Sequence, residues 1–170
     1  ERTQRLAYAT LISQKLSAPS EGIIGFLGLL TDELERSGIP GILEDLGKVQ
    51  TAATRLGDMI SDLSNDPRDI ASDTDLQAQL RHDLRSPINA IIGYLEMMVE
   101  DFEDEITTSA QRDIASILQE SRLLAVRIDE VVDGAATTNN ETEDYQEAQI
   151  AAGLAQSLSG VGIGDGTLTG

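Results

Sequence analysis

The chain predicts an all-α fold: an antiparallel four-helix bundle made of two helical hairpins, followed by a flexible C-terminal tail. Three observations carry that expectation. Aromatic residues make up 3% and hydrophobic residues 40% of the 170 positions, which suits an aliphatic helical core better than a sheet. Apolar residues recur three and four apart, the period of one helical face. Third, a shift of 68 positions superimposes the two halves without a gap: Leu16, Pro19, Ile23, Ile24, Gly25, Leu27, Glu35, Asp45, Leu56 and Ile60 fall on Leu84, Pro87, Ile91, Ile92, Gly93, Leu95, Glu103, Asp113, Leu124 and Ile128. Phe26 with Tyr94, Leu29 with Met97, Leu34 with Phe102, Leu46 with Ile114 and Val49 with Ile117 extend the match conservatively. We read the halves as a tandem duplication.

The elements follow in order. Residues 1–65 form the first hairpin, with one stripe through Leu6, Ile12, Leu16, Ile23, Leu27, Leu30 and Leu34 and a second through Leu43, Leu46, Val49, Leu56, Met59, Ile60 and Leu63. Between them Ser37-Gly38-Ile39-Pro40-Gly41 breaks the helix, because glycine and proline end the hydrogen-bond ladder. Residues 66–75 are the linker. Residues 76–133 repeat the hairpin: Leu76 to Phe102, a polar turn near Glu105 to Ser109, then Ile114, Ile117, Leu118, Leu124, Ile128, Val131 and Val132. Four amphipathic stripes are buried most simply in one bundle, so the folded unit is expected to be a monomer. Residues 134–170 are linker and tail: Gly134 to Asp144 is polar, Tyr145 to Leu158 suits one short helix, and Gly160 to Gly170 is glycine-rich, a tether toward a further domain.

Composition also excludes functions. A formal net charge of -18 repels nucleic acid and anionic membranes. No apolar run approaches the roughly 18 residues of a membrane span, and cytoplasmic placement is the expectation. With no cysteine and one histidine, neither disulfides nor thiolate or histidine metal centres are expected. The acidic run Asp101-Phe102-Glu103-Asp104-Glu105 reads as a solvated face.

Residues Arg81-His82-Asp83-Leu84-Arg85-Ser86-Pro87-Ile88-Asn89-Ala90-Ile91-Ile92-Gly93-Tyr94 set that histidine beside a carboxylate and two arginines on an amphipathic helix. Singly, each has an ordinary reading: a solvated histidine, a charged face, a helix-entry Ser-Pro. Their joint spacing points to phosphoryl chemistry. Neutral imidazole is a good nucleophile near pH 7, and attack by one ring nitrogen requires the other to hold the proton. Asp83 is the candidate to accept that N–H, fixing the tautomer and acting as general base. His82 falls off the seam of Leu84, Ile88, Ile91, Leu95, Met98 and Phe102, toward solvent. Arg81 and Arg85 are placed to balance phosphoryl oxygens or to meet an acidic pocket on a partner. Pro87 lacks a backbone donor and is expected to bend the helix after the acceptor.

The string closely resembles the H-box of sensor histidine kinases, in their dimerisation and histidine-phosphotransfer domain, whose pattern is roughly His-Glu/Asp-Leu-Arg-Thr/Ser-Pro-Leu-Asn/Thr-x-Ile-x-Gly. The resemblance implies that His82 is the phosphoacceptor, that Arg85 and Asn89 belong to its box, and that Ser86 helps position the water that removes phosphate from a partner. Pro87 and Gly93, with Pro19 and Gly25 in the first copy, are structural. In that family the bundle is a homodimer, so one chain here supplies both halves as a covalent pseudo-dimer. The first copy has Gln14, Lys15, Ser17 and Ala18 where the second has His82, Asp83, Arg85 and Ser86, and glutamine is no stable phosphoryl acceptor. The copy is degenerate. No segment resembles the family's ATP-binding domain, and Gly160-Val161-Gly162-Ile163-Gly164-Asp165-Gly166 has no lysine, so no cofactor is expected on this chain; ATP and Mg²⁺ belong to partner domains. The implied partners are an ATP-binding kinase domain, in cis or in trans, and a receiver domain whose aspartate gives or takes the phosphoryl group. The competing reading is a non-phosphorylated helical transmitter or scaffold that couples a sensor to an output domain.

Overall fold

The computed structural model describes residues 2–66 and 68–159. It is all helical among these residues: α1 (Arg2–Ser37), α2 (Ile42–Asp62), two short 3-10 turns (Leu63–Asn65 and Ile70–Ser72), α3 (Thr74–Phe102) and α4 (Thr108–Ser159). The chain divides into two compact units, Glu1–Ala136 and Thr137–Gly170.

In the first unit α2 packs against both α1 and α3. Side-chain pairs set the directions. Gln50 donates to Thr31 at 2.7 Å, and a Cβ at Gly57 would lie 3.5 Å from Ile24, so α1 and α2 are antiparallel. Arg81 meets Asp133 and Glu96 meets Arg122, so α3 opposes the first part of α4. Tyr8 donates to the Val132 carbonyl at 3.3 Å while Glu33 accepts from Thr107 at 2.6 Å, which lays α4 along α1. Each helix therefore has two antiparallel neighbours, the arrangement of a four-helix bundle.

The core is aliphatic, and it keeps the sequence register. Leu16 and Leu84, Ile23 and Ile91, Leu27 and Leu95, Val49 and Ile117, Leu56 and Leu124, Ile60 and Ile128 are each buried pairwise. So are Leu30 with Met98, Ser20 with Ile88 and Ala53 with Ser121, whose types differ. Two stripe residues are corrected. Leu6 is 47% and Leu43 48% exposed, because Tyr8 and Ile42, each buried, take the inward positions of the 3.6-residue repeat. Gly38 and Gly41 adopt positive φ, 66° and 83°, where a side chain would be strained, and close the α1–α2 turn. Gly25 and Gly93 face open space; no close approach requires glycine at either.

The segment between the hairpins is packed rather than loose. Ile70 and Ala71 are buried, and Gln77, 8% exposed, donates to both of their carbonyls at 3.0 and 3.1 Å. Asp73 caps α3 by accepting from the amides of Asp75 and Leu76, the cap position preferred for a short carboxylate.

Polar Gly134 to Asp144, expected as linker, is helical and holds the boundary between the two units. It contains no proline, and extending an existing helix adds one hydrogen bond per residue without a new nucleus. In the second unit Ile150 and Leu154 are exposed. The glycine-rich tail expected over 160–170 lies outside the described residues. No helix of the described residues is long and apolar enough to cross a membrane.

Candidate phosphoacceptor site

The site is built on the first turns of α3. The Asp73 cap and the Gln77 clamp set where the helix starts, and Leu80, Leu84, Ile88 and Ile91, all buried, set which way it rolls. That stripe turns His82 outward, with its side chain 85% exposed. Its Nδ1 faces Asp83 Oδ1 at 3.5 Å, within ion-pair range but longer than a well-formed hydrogen bond. Nε2 is the nitrogen left for an incoming group. The neighbours on one chain turn meet through side-chain reach, since adjacent helical residues do not stack.

Arg81, His82, Arg85, Ser86 and Asn89 border one shallow depression, so five of the expected residues are brought together. The arginines are less available than their spacing suggests. Arg81 is bonded to Asp133 on α4 at 2.7 Å, and Arg85 forms an ion pair with Asp129. Both therefore link α3 to α4 beside the histidine. Ser86 and Asn89 are exposed. Pro87 is buried, and α3 continues through it, as α1 continues through Pro19. Lacking an N–H, Pro87 leaves the carbonyl of Asp83 without its helical donor, one loosened bond in the acceptor turn.

At the corresponding place in the first hairpin, Gln14 and Lys15 are exposed on α1. Two sets of residues near the site had no signal in the H-box. Lys48 and Arg55 on α2 border a groove with Ser86, Pro87, Ala90 and Tyr94 of α3, Lys48 lying 5.7 Å from the Tyr94 ring centroid and 3.7 Å from Asp45. Asp66 and Arg68 of the linker border a second groove with Asp83. The Arg68 guanidinium holds the Asp66 carboxyl below its ordinary range, and Asp66 in turn raises Arg68. Only the Asp-x-Arg spacing of this pair was visible in sequence.

Neither the curated proteins nor the solved structures compared match the chain. Residues 72–135 match the family model of the His Kinase A (phospho-acceptor) domain. The matched segment runs from the turn that caps α3, through His82 and the α3–α4 turn, to the end of the paired part of α4. With an outward histidine on the first helix of that hairpin, residues 72–135 are similar to the phospho-acceptor domain of the His Kinase A family.

Proposed function

We propose that His82 exchanges a phosphoryl group with an ATP-binding kinase domain or with a receiver-domain aspartate, and that the two hairpins form a covalent pseudo-dimer with a single acceptor. The observation that carries the reading is the placement of the chain's one imidazole: outward on α3, Nδ1 toward Asp83, Nε2 open. Nε2 attacks phosphorus as the donor's P–O bond breaks and its oxygen leaves with the partner domain, while the Nδ1 proton is shared with Asp83, which offsets the positive charge that develops on the ring. On return, a receiver aspartate attacks the same phosphorus and the Nε2–P bond breaks. Mg²⁺ and ATP come with the partner domains.

The pseudo-dimer reading is supported by the shared register of buried residues and by pairing that repeats under the shift of 68. The Glu33–Ser109 contact shifts onto Asp101 and Gly41, and a Cβ at Gly41 would sit 3.9 Å from Phe102. The α2–α3 groove beside Ser86, about 550 Å³, is where the receiver docks. Lys48 and Arg55 give it two cations in a chain of net charge -18, whereas Ser116 and Leu123 stand at the shifted positions on α4.

The test mixes the chain with candidate kinase domains and with phosphorylated receivers, and follows an acid-labile, alkali-stable label. Label is expected on His82. His82→Gln abolishes it with helical content unchanged, Asp83→Asn slows it by about tenfold or more, and Gln14→His creates no second acceptor, since Lys15 and Ser17 stand where the carboxylate and arginine are needed. If no donor labels the chain, the scaffold reading, which the Arg81 and Arg85 cross-links favour, replaces this one.

A further inference from the structure

We propose that Arg68, carried by the linker between the hairpins, restrains Asp83 and so sets how strongly His82 is activated as an acceptor. The proposal rests on the acceptor reading above and names a regulating residue of the same site.

The linker holds Arg68 in a built position. Ile70 and Ala71 anchor it in the core, and Gln77 bonds both of their carbonyls. Asp66 then grips the arginine through four contacts: its Oδ1 accepts from the Arg68 amide at 2.9 Å and from Nε at 3.0 Å, and its Oδ2 from Nε at 3.2 Å and from Nη2 at 2.7 Å. This two-pronged geometry is specific to a guanidinium. Arg68 and Asp83 border the same groove, of about 430 Å³, at the end of α2. The negative charge of Asp83 is also one of the influences that raise Arg68.

Asp83 therefore answers to two groups. The His82 Nδ1 lies 3.5 Å from its Oδ1, and Arg68 of the linker borders the same groove as Asp83. Other charges lie nearby: Arg2 and Arg5 of α1 border a separate pocket with Asp66. Arg81 and Arg85 are occupied by Asp133 and Asp129, and Asp62 and Asp66 face the groove from α2 and the linker. Arg68 is thus the cation poised to draw the Asp83 carboxylate from the imidazole, and Asp66 limits that pull by holding it. Arg68 touches no reacting atom; it is a positioning residue acting through Asp83.

Opposite signs follow for the two members of the pair. Without Arg68, Asp83 bonds the Nδ1 proton more fully and the ring becomes the better nucleophile. Without the Asp66 charge, the guanidinium is released toward Asp83 and the ring loses its acceptor. A linker that merely packs predicts the same sign for both.

The experiment uses the whole chain and potassium phosphoramidate, so that no protein partner is required. Nε2 attacks phosphorus, the phosphorus–nitrogen bond of the donor breaks, ammonia leaves, and the ring proton passes by way of Asp83 to solvent. Phosphohistidine is followed by ³¹P NMR. Arg68→Gln is expected to label about two- to fivefold faster than the parent and Asp66→Asn slower by a similar factor, the size of a screened surface ion pair. The double variant follows Arg68→Gln, and both differences shrink in about 1 M salt. Circular dichroism checks each fold. Variants that leave the rate unchanged, or shift it in one direction together, overturn the proposal while leaving the acceptor reading intact. A parent chain that takes no label on His82 overturns both.

Discussion

At the residue scale, the roll of α3 decides what His82 can do. A helix places its residues at about 100° steps, so burial of Leu80, Leu84, Ile88 and Ile91 turns position 82 to solvent. Gln77 holds the start of that helix and is the residue whose loss tests the point. Gln77→Met keeps the volume but strips the side-chain donor from the Ala71 carbonyl and one of two donors from the Ile70 carbonyl, which keeps the Asp73 amide at 3.3 Å. It is expected to cost about 1–3 kcal/mol in chemical denaturation, the penalty of an orphaned buried acceptor. Tyr8, near the start of α1, ties that helix to α4. Burial pushes its hydroxyl up to about 12, and that hydroxyl donates to the Val132 carbonyl.

At the element scale, the α3–α4 turn is tied to α1 by one carboxylate. Glu33 accepts from Thr107 and Ser109, and Asp113 stands close enough that loss of solvent, then Glu33 itself, raises its carboxyl above the ordinary range. A raised carboxyl means the folded state holds its proton more tightly than the unfolded chain. Its contribution is fully present below the ordinary carboxylate range and lost as pH rises through the raised value. Asp113→Asn is therefore expected to raise the melting temperature at pH 7, with the gain vanishing as pH falls below the carboxylate range. Asp66, held low by Arg68, has the opposite dependence: its contribution is present at neutral pH and lost on acidification. Thermal melts of both variants between pH 3 and 7, roughly the window of carboxylate titration, separate the two.

At the scale of the whole molecule, the four amphipathic stripes of residues 2–133 bury one another in a single aliphatic core. Size exclusion coupled to light scattering at micromolar concentration is expected to give a monomer. A stable dimer pairing like hairpins across two chains sinks the pseudo-dimer. The net charge of -18 adds a salt dependence: self-repulsion is screened as ionic strength rises, so stability increases with salt while the Arg81–Asp133 and Arg85–Asp129 pairs weaken.

Helix type, the four stripes and the outward place of His82 on α3 were legible in the sequence because each is periodic or local. A 3.6-residue repeat names a face without any knowledge of what covers it, and an H-box lies within one stretch of α3. The sequence alone misplaced Leu6 and Leu43, since apolar residues one or two positions apart do not say which of them turns inward until the opposing helix is in place. The helical conformation of Gly134 to Asp144 was hidden by its polarity, which marks the absence of a core partner and not the absence of a helix. Tertiary structure decided what the site's charges do. Arg81 and Arg85 met Asp133 and Asp129 across 52 and 44 positions, Lys48 met Tyr94 across the hairpins, and Arg68 came to Asp83 by way of a packed linker. Such contacts depend on the register between helices, which is set by the summed packing of the core and leaves no mark in the residues near either partner.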